Sequence, residues 1–250
     1  MSTTEDLQKS HYNSISDDYA AHYGDEWSQK YRNKFVNEYL VKNISIEDSL
    51  VLEAMCGSGE TTAFLLDKNA KVVGLDISDH EVENFKSRWQ GCDAYCASIR
   101  ETNFADNKFD VVIVVGGLHH VHPFVNEVIE EICRILKPGG YFCFFEPHKG
   151  SFPDFVRSLW YKQDSLFADN EEGIDVDAIK EKFSEQFTFV ETRYGGNVGY
   201  LFVFNSLVFR IPLKLKPILS PVLIFLESVF KPLQTKFTSC FVIGRWQKKN

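Results

Sequence analysis

Val51-Leu52-Glu53-Ala54 is an apolar run carrying one acid near its end, and Met55-Cys56-Gly57-Ser58-Gly59 breaks it into a turn. That turn opens a helix near Glu60. Glycines at such a junction let backbone approach a ligand closely, and the first turn of the helix presents unpaired N–H groups. A second apolar run, Lys71-Val72-Val73-Gly74-Leu75, ends in Asp76. An acid there is placed to hold the two hydroxyls of a ribose. Strand, glycine turn, helix, strand and acid make half of a nucleotide-binding βαβαβ unit.

The side chains around the turn narrow the ligand. A dinucleotide fingerprint needs glycine or alanine at its third place, where this chain has Thr62. Glu53 and Glu60 would repel a pyrophosphate but suit a ligand carrying an ammonium and a sulfonium. The segment resembles motif I of class I S-adenosylmethionine-dependent methyltransferases, usually E/D-x-G-x-G-x-G, with Met55 where the first glycine is normal.

The resemblance continues in order. Asn103-Phe104-Ala105-Asp106-Asn107-Lys108-Phe109-Asp110-Val111-Val112 is similar to the segment that leads into the family's fourth strand, and Leu136-Lys137-Pro138-Gly139-Gly140 is similar to the turn before its fifth. It covers residues 50–147. Tyr12 to Tyr19 resembles the N-terminal tyrosine motif of small-molecule and lipid-type members, although ordinary aromatic packing of a helix accounts for it equally well. The family implies an α/β fold, a Rossmann-like seven-stranded sheet with helices on both faces.

Composition allows such a domain. The chain has 250 residues, 44% hydrophobic and 25% charged, enough for one large core. A net charge of −8 argues against nucleic acid as a partner. Met1 to Ser10 lacks the apolar core of a signal peptide. The six cysteines follow no zinc-ribbon spacing and read as reduced thiols of a cytoplasmic protein. No metal is expected: His119-His120-Val121-His122 has no nearby carboxylate partner in the sequence.

Periodicity then divides the chain. Residues 1–45 form an N-terminal helical cap, with Trp27, Tyr31, Phe35 and Tyr39 at four-residue spacing. Residues 46–197 and 237–250 supply the core of a single domain. Strands are expected at 50–54, 71–75, 93–97, 109–115, 140–146, 188–194 and 237–246. Helices are expected at 59–68, from Ser78 to about Trp89, from Pro123 to Leu136, and at 174–185. Residues 198–236 are an apolar insertion between strands six and seven, interrupted by Pro212, Pro217 and Pro221. From Val198 to the C-terminus eight basic residues face a single acid, Glu227. The insertion reads either as a hydrophobic cap packed on the core or as an apolar basic platform that rests on an anionic membrane, on its inner face, or grips a lipid-like acceptor.

The resemblance implies that S-adenosylmethionine is held by Tyr12, Tyr19, Glu53, Ala54, Cys56, Gly57, Gly59, Asp76, Ile77, Ser98, Ile99 and Gly116. Asp76 would take the ribose, Ile77 would pack on the adenine, and Ser98 stands where an acid is usual. Chemistry is expected beyond strand four. Methyl transfer from a sulfonium mainly needs alignment and exclusion of water. A hydroxyl acceptor also benefits from a base, and His119 or His120 is the candidate, with a loop-capping role as the plainer alternative. Glu146-Pro147-His148 offers a further polar contact. The acceptor is expected to be a small or lipid-linked molecule methylated at oxygen, with carbon or nitrogen ranked below it. Two alternatives remain, a non-catalytic cofactor-binding or interaction protein and, ranked below it, a nicotinamide-dependent oxidoreductase. The oligomeric state is not readable.

Overall fold

The computed structural model describes residues 21–161 and 172–250. The expectations placed on Tyr12 and Tyr19 lie outside the described residues. Seven strands form one sheet: β1 (Leu50–Ala54), β2 (Lys71–Asp76), β3 (Asp93–Cys96), β4 (Phe109–Val115), β5 (Leu136–Pro147), β6 (Phe187–Gly195) and β7 (Phe241–Lys248). Their order is β3-β2-β1-β4-β5-β7-β6, all parallel except β7, which runs antiparallel to both neighbours.

The central strands are buried on both faces, which is why they read as unbroken apolar runs. Strand order reverses between β1 and β4, where Ala54 pairs with Val114. In open α/β sheets the crevice at the C-terminal ends of two such strands is where ligands bind. The turn after β1 and the loop after β4 therefore start side by side.

Helices cover both faces. On one side α1 (Glu26–Arg32) runs through a π-helical turn (Asn33–Asn37) into α2 (Glu38–Leu40), and α3 (Thr62–Asp67) and α4 (Asp79–Arg88) follow. Tyr31, Val36, Leu40, Leu65 and Phe85 pack here against Val51, Val111 and Phe145. On the other side α5 (Val125–Ile135) buries Val125, Val128, Ile129, Ile132 and Ile135, an amphipathic stripe at helical spacing. Phe142, Phe144 and Trp246 complete that core, with the Phe144 and Trp246 rings edge to face at 5.0 Å. Caps follow the sequence. Ser78 Oγ accepts from Glu81 N at the start of α4, and Asp25 accepts from Trp27 N and Ser28 N at the start of α1.

Three boundaries differ from expectation. Leu136 does not end the helix begun near Pro123; it opens β5, with extended backbone. Helix α3 begins at Thr62 because residues 57–61 are used by the turn. Strand seven begins at Phe241, not Phe237. Residues 235–239 close on themselves through Thr235 and Thr238, and Phe237 is 65% exposed.

Between β6 and β7 the chain does not run as a plain connection. A π-helical turn, Tyr200–Phe204, buries Tyr200, Val203 and Phe204 against Phe145 and Phe241. Two further helices carry exposed apolar faces. They are α6 (Phe152–Tyr161) and α8 (Lys216–Phe230), with α7 (Val176–Lys182) between them in sequence. Helix α8 is inverted. Its buried residues are Lys216, Ser220 and Glu227, while Ile218, Val222 and Phe225 face outward.

Partners drawn from the N-terminal helices explain the inversion. Lys216 Nζ donates to Asp25, Ser28 Oγ, Ser206 Oγ and the His22 carbonyl. Glu227 accepts from Tyr31 Oη and from the backbone N–H groups of Asn197, Gly199 and Tyr200. Buried ionic groups persist only when bonded this fully. Among the described residues no helix is long and apolar enough to cross a membrane.

Candidate active site

Glu53 is buried at the end of β1, with Oε1 accepting from Thr61 N at 3.1 Å and Oε2 from Thr62 Oγ1 at 2.5 Å. It ties the strand to the start of α3. Burial pushes its carboxyl up to about 7, against the lowering effect of Thr62 and Thr61. Glu60 lies beside it, within 2.9 Å of Ser58 Oγ.

Asp76 ends β2 and reaches back to the same turn. Its Oδ2 accepts from Gly57 N at 2.9 Å, and its Oδ1 accepts from Ser78 N at 2.9 Å. A carboxylate has about four acceptor directions, so both oxygens retain capacity for a further donor. Burial raises its pKa, with the Ser78 and Gly57 N–H groups working the other way.

Gly59 has φ +84°, and a Cβ there would lie 2.3 Å from Trp89 Nε1. The left-handed φ and the close Trp89 indole, bonded to the Ser58 carbonyl at 3.0 Å, together require glycine at this position. Cys56 turns inward: it is buried, and its sulfur lies 3.1 Å from where a Cβ on Gly74 would stand. Ala54 and Ile99 are buried, Ile99 in the core cluster beneath the site. Ser98 Oγ accepts from Arg100 N at 3.2 Å, and Ile77 is half-buried after Asp76.

Met55 occupies the place of a usual glycine with φ +55°, in the left-handed region. Its side chain lies against the loop after β4. A Cβ on Gly117 would stand 2.7 Å from Met55 Sδ. The adjoining Gly116, at φ +69°, has nothing within 4 Å of the corresponding position. Room therefore exists beside the end of β4 at Gly116, while the Gly117 side is filled.

Sequence reasoning noticed Glu146 but not its place. Fully buried at the end of β5, it accepts from the N–H groups of Gly117 and Leu118 at 2.8 Å each, from His119 N at 3.3 Å, and contacts His119 Nδ1 at 2.8 Å. One carboxylate thus fixes the whole loop after β4. Burial pushes it up to about 7, opposed by the Leu118 and Gly117 N–H groups. The His119 and His120 rings lie 3.7 Å apart, so the two candidate bases share one spot; His119 Nδ1 lies 2.8 Å from Glu146, and His120 acts on the same carboxylate through its charge. Among the described residues no group of three or more His, Cys, Asp or Glu is arranged to hold a metal.

A parallel sheet reversed between β1 and β4, an acid-lined glycine turn after β1 and an acid ending β2 define the class I methyltransferase fold. Residues 52–144 match the sequence model of a family described as a methyltransferase domain, and this stretch of the chain is such a domain, of the S-adenosylmethionine-dependent kind. An uncharacterized methyltransferase of Synechocystis sp. is 31% identical over 102 residues, covering 40% of this chain and 48% of that protein. A sterol 24-C-methyltransferase of Yarrowia lipolytica is 29% identical over 157 residues, covering 56% of this chain and 41% of that one. The chain spans less than half the length of these relatives. Among solved structures, the N-methyltransferase NodS of Bradyrhizobium japonicum, in complex with S-adenosyl-L-homocysteine, superposes with a TM-score of 0.58. It is 14% identical, with 90% of this chain and 89% of that one covered.

The residues present fit S-adenosylmethionine. Three carboxylates, Glu53, Glu60 and Asp76, crowd one turn, which disfavours phosphate and favours a cation. Asp76 keeps acceptor capacity, and the Gly116 side of the crevice is open.

Proposed function

We propose that the protein transfers a methyl group from S-adenosylmethionine to a hydroxyl oxygen of a small or lipid-linked acceptor. The contact of buried Glu146 with His119 Nδ1, at the mouth of the crevice between β1 and β4, carries this reading. When bound, the cofactor supplies a methyl group on a sulfonium, already activated for displacement. In this reading Asp76 holds the ribose hydroxyls, Ile77 packs on the adenine and Ser98 meets its edge. Glu53 and the backbone of Cys56, Gly57 and Gly59 shape the methionine end, and Gly116 leaves space beside it.

With Nδ1–H donated to Glu146, the imidazole carries its lone pair on Nε2. That nitrogen would accept the hydroxyl proton while the methyl group, leaving the sulfonium as S-adenosylhomocysteine, passes to the oxygen, and Glu146 would stabilise the resulting imidazolium. The acceptor pocket lies between the N-terminal helices, the loop after β4 and residues 198–236. The same segment gives the protein a peripheral contact with the inner face of a membrane. Support comes from the relative named for a sterol acceptor, although that protein is named for methylation at carbon.

A second reading, cofactor binding without turnover, is favoured by Met55, whose side chain takes up space between the two turns. Two measurements separate them. Calorimetry with S-adenosylhomocysteine tests the binding site, and transfer of isotope-labelled methyl to a lipid extract tests turnover. Binding without labelled product in any fraction supports the second reading; no binding sinks both.

A further inference from the structure

We propose that α6 and α8 together form one surface that settles into the interface of an anionic lipid bilayer. The inference rests on the peripheral-membrane reading above and adds a second helix and the side chains that enter. Helix α6 exposes Phe152, Phe155, Val156 and Leu159, between 48% and 61% each. Their spacing of three, one and three residues makes a single helical stripe. Helix α8 exposes Ile218, Val222, Phe225 and Val229, at 50% or more.

Phe237, seven residues beyond the end of α8, meets the start of α6. Its carbonyl accepts from Phe152 N at 2.8 Å, and the two rings are 6.4 Å apart. The outward direction of α8 is held by its polar side, because turning the helix over would strip Lys216 and Glu227 of their buried partners. An apolar face kept outward in this way needs an apolar environment to meet it. Helix α8 has 15 residues, about 22 Å of length, too short to span a bilayer but suited to lying along its surface.

Charge selects the kind of membrane. Exposed Lys34, Arg210, Lys214 and Lys231 border α8, while Glu227, the sole acid between Val198 and Asn250, is buried beneath it. The whole chain is at −8, so the rest of the protein is strongly acidic. An anionic surface therefore attracts this end and repels the remainder, which orients the molecule with α6 and α8 toward lipid. A second copy of the chain would instead set like charges against each other around the same apolar face.

Co-sedimentation with vesicles of phosphatidylcholine, with and without phosphatidylglycerol, tests this on the whole chain of 250 residues. Binding should need the anionic lipid and weaken at high salt. Phe225→Ser and Phe155→Ser should each lower partition about tenfold, the worth of burying one such ring. S-adenosylhomocysteine affinity should be unchanged in both, which shows that they are folded. No binding to either vesicle overturns the inference and the membrane reading, leaving methyl transfer to be judged by the calorimetry and the labelled-methyl assay. Binding that Phe155→Ser leaves intact limits contact to α8 and overturns the two-helix surface. A concentration-dependent dimer lost in both variants, with no vesicle binding, makes a second copy the occupant.

Discussion

Glu146 Oε2 lies 2.8 Å from His119 Nδ1, while Oε1 of the same carboxylate holds the Gly117 and Leu118 N–H groups, also at 2.8 Å. The group that orients the imidazole also shapes the loop on which it stands. His119→Ala should therefore lower turnover by roughly 10²–10⁴ with cofactor affinity retained, whereas His120→Ala should cost less than about tenfold. Glu146→Gln can offer its amide N–H to Nδ1, favouring the wrong tautomer, and should slow turnover by at least ~10². Single-turnover kinetics beside calorimetry will check this. Equal losses in the two histidine variants would undo the assignment.

Asp76 joins the ends of two strands through Gly57 and Ser78. Asp76→Ala removes both these bonds and the proposed ribose acceptor. Loss of charge-assisted bonds worth about 1.5–3 kcal/mol should weaken S-adenosylhomocysteine binding tenfold to a hundredfold. Titration calorimetry at neutral pH measures it, and unchanged affinity would remove Asp76 from the cofactor site.

Glu53 and Glu146 both rise from the ordinary 4.5 to about 7 in the folded protein, burial being the main cause. Between those values the folded chain binds more protons than the unfolded one. Their contribution to stability is therefore complete below about 4.5 and is lost as pH climbs through 7. The melting temperature, corrected for other titrations, should fall over that window. Glu146→Gln, which cannot ionise, should make the fall shallower; an identical slope in variant and parent would contradict the linkage.

Lys216 is 1% exposed and bonded to Asp25, Ser28 and Ser206. Lys216→Ala leaves Asp25 without its cation and should destabilise the chain by about 3 kcal/mol. Denaturant unfolding reads the loss. Hydrogen exchange should show α1 and α8 opening first, and a uniform loss of protection would argue against the pair as their specific tie.

Strands β1, β2, β4 and β5 were legible because parallel strands buried on both faces become apolar runs, and their turns need glycines in fixed places. The start of β7 was not. Phe237 continues the alternation of Phe241 and Ile243, but its ring lies outside the core beside Phe152. Helix α8 was not legible either: its inward residues Lys216 and Glu227 are set by Asp25, Ser28 and Tyr31, nearly two hundred positions away. In the site, Asp76 and the glycine turn were local signals. The bond between Glu146 and His119 joins two strand ends across 27 residues, and no spacing in the sequence distinguishes His119 from His120.

The methionine at position 55 has a consequence for neighbouring freedom. Its thioether fills the ground that any branch on residue 117 would need, so the two sites are not independent. Gly117→Ala should be tolerated better once Met55→Gly is in place, with Val114 Cγ1, 2.9 Å from the new Cβ, left as the close contact, and related chains that restore the glycine at 55 should more often carry a residue larger than glycine at 117.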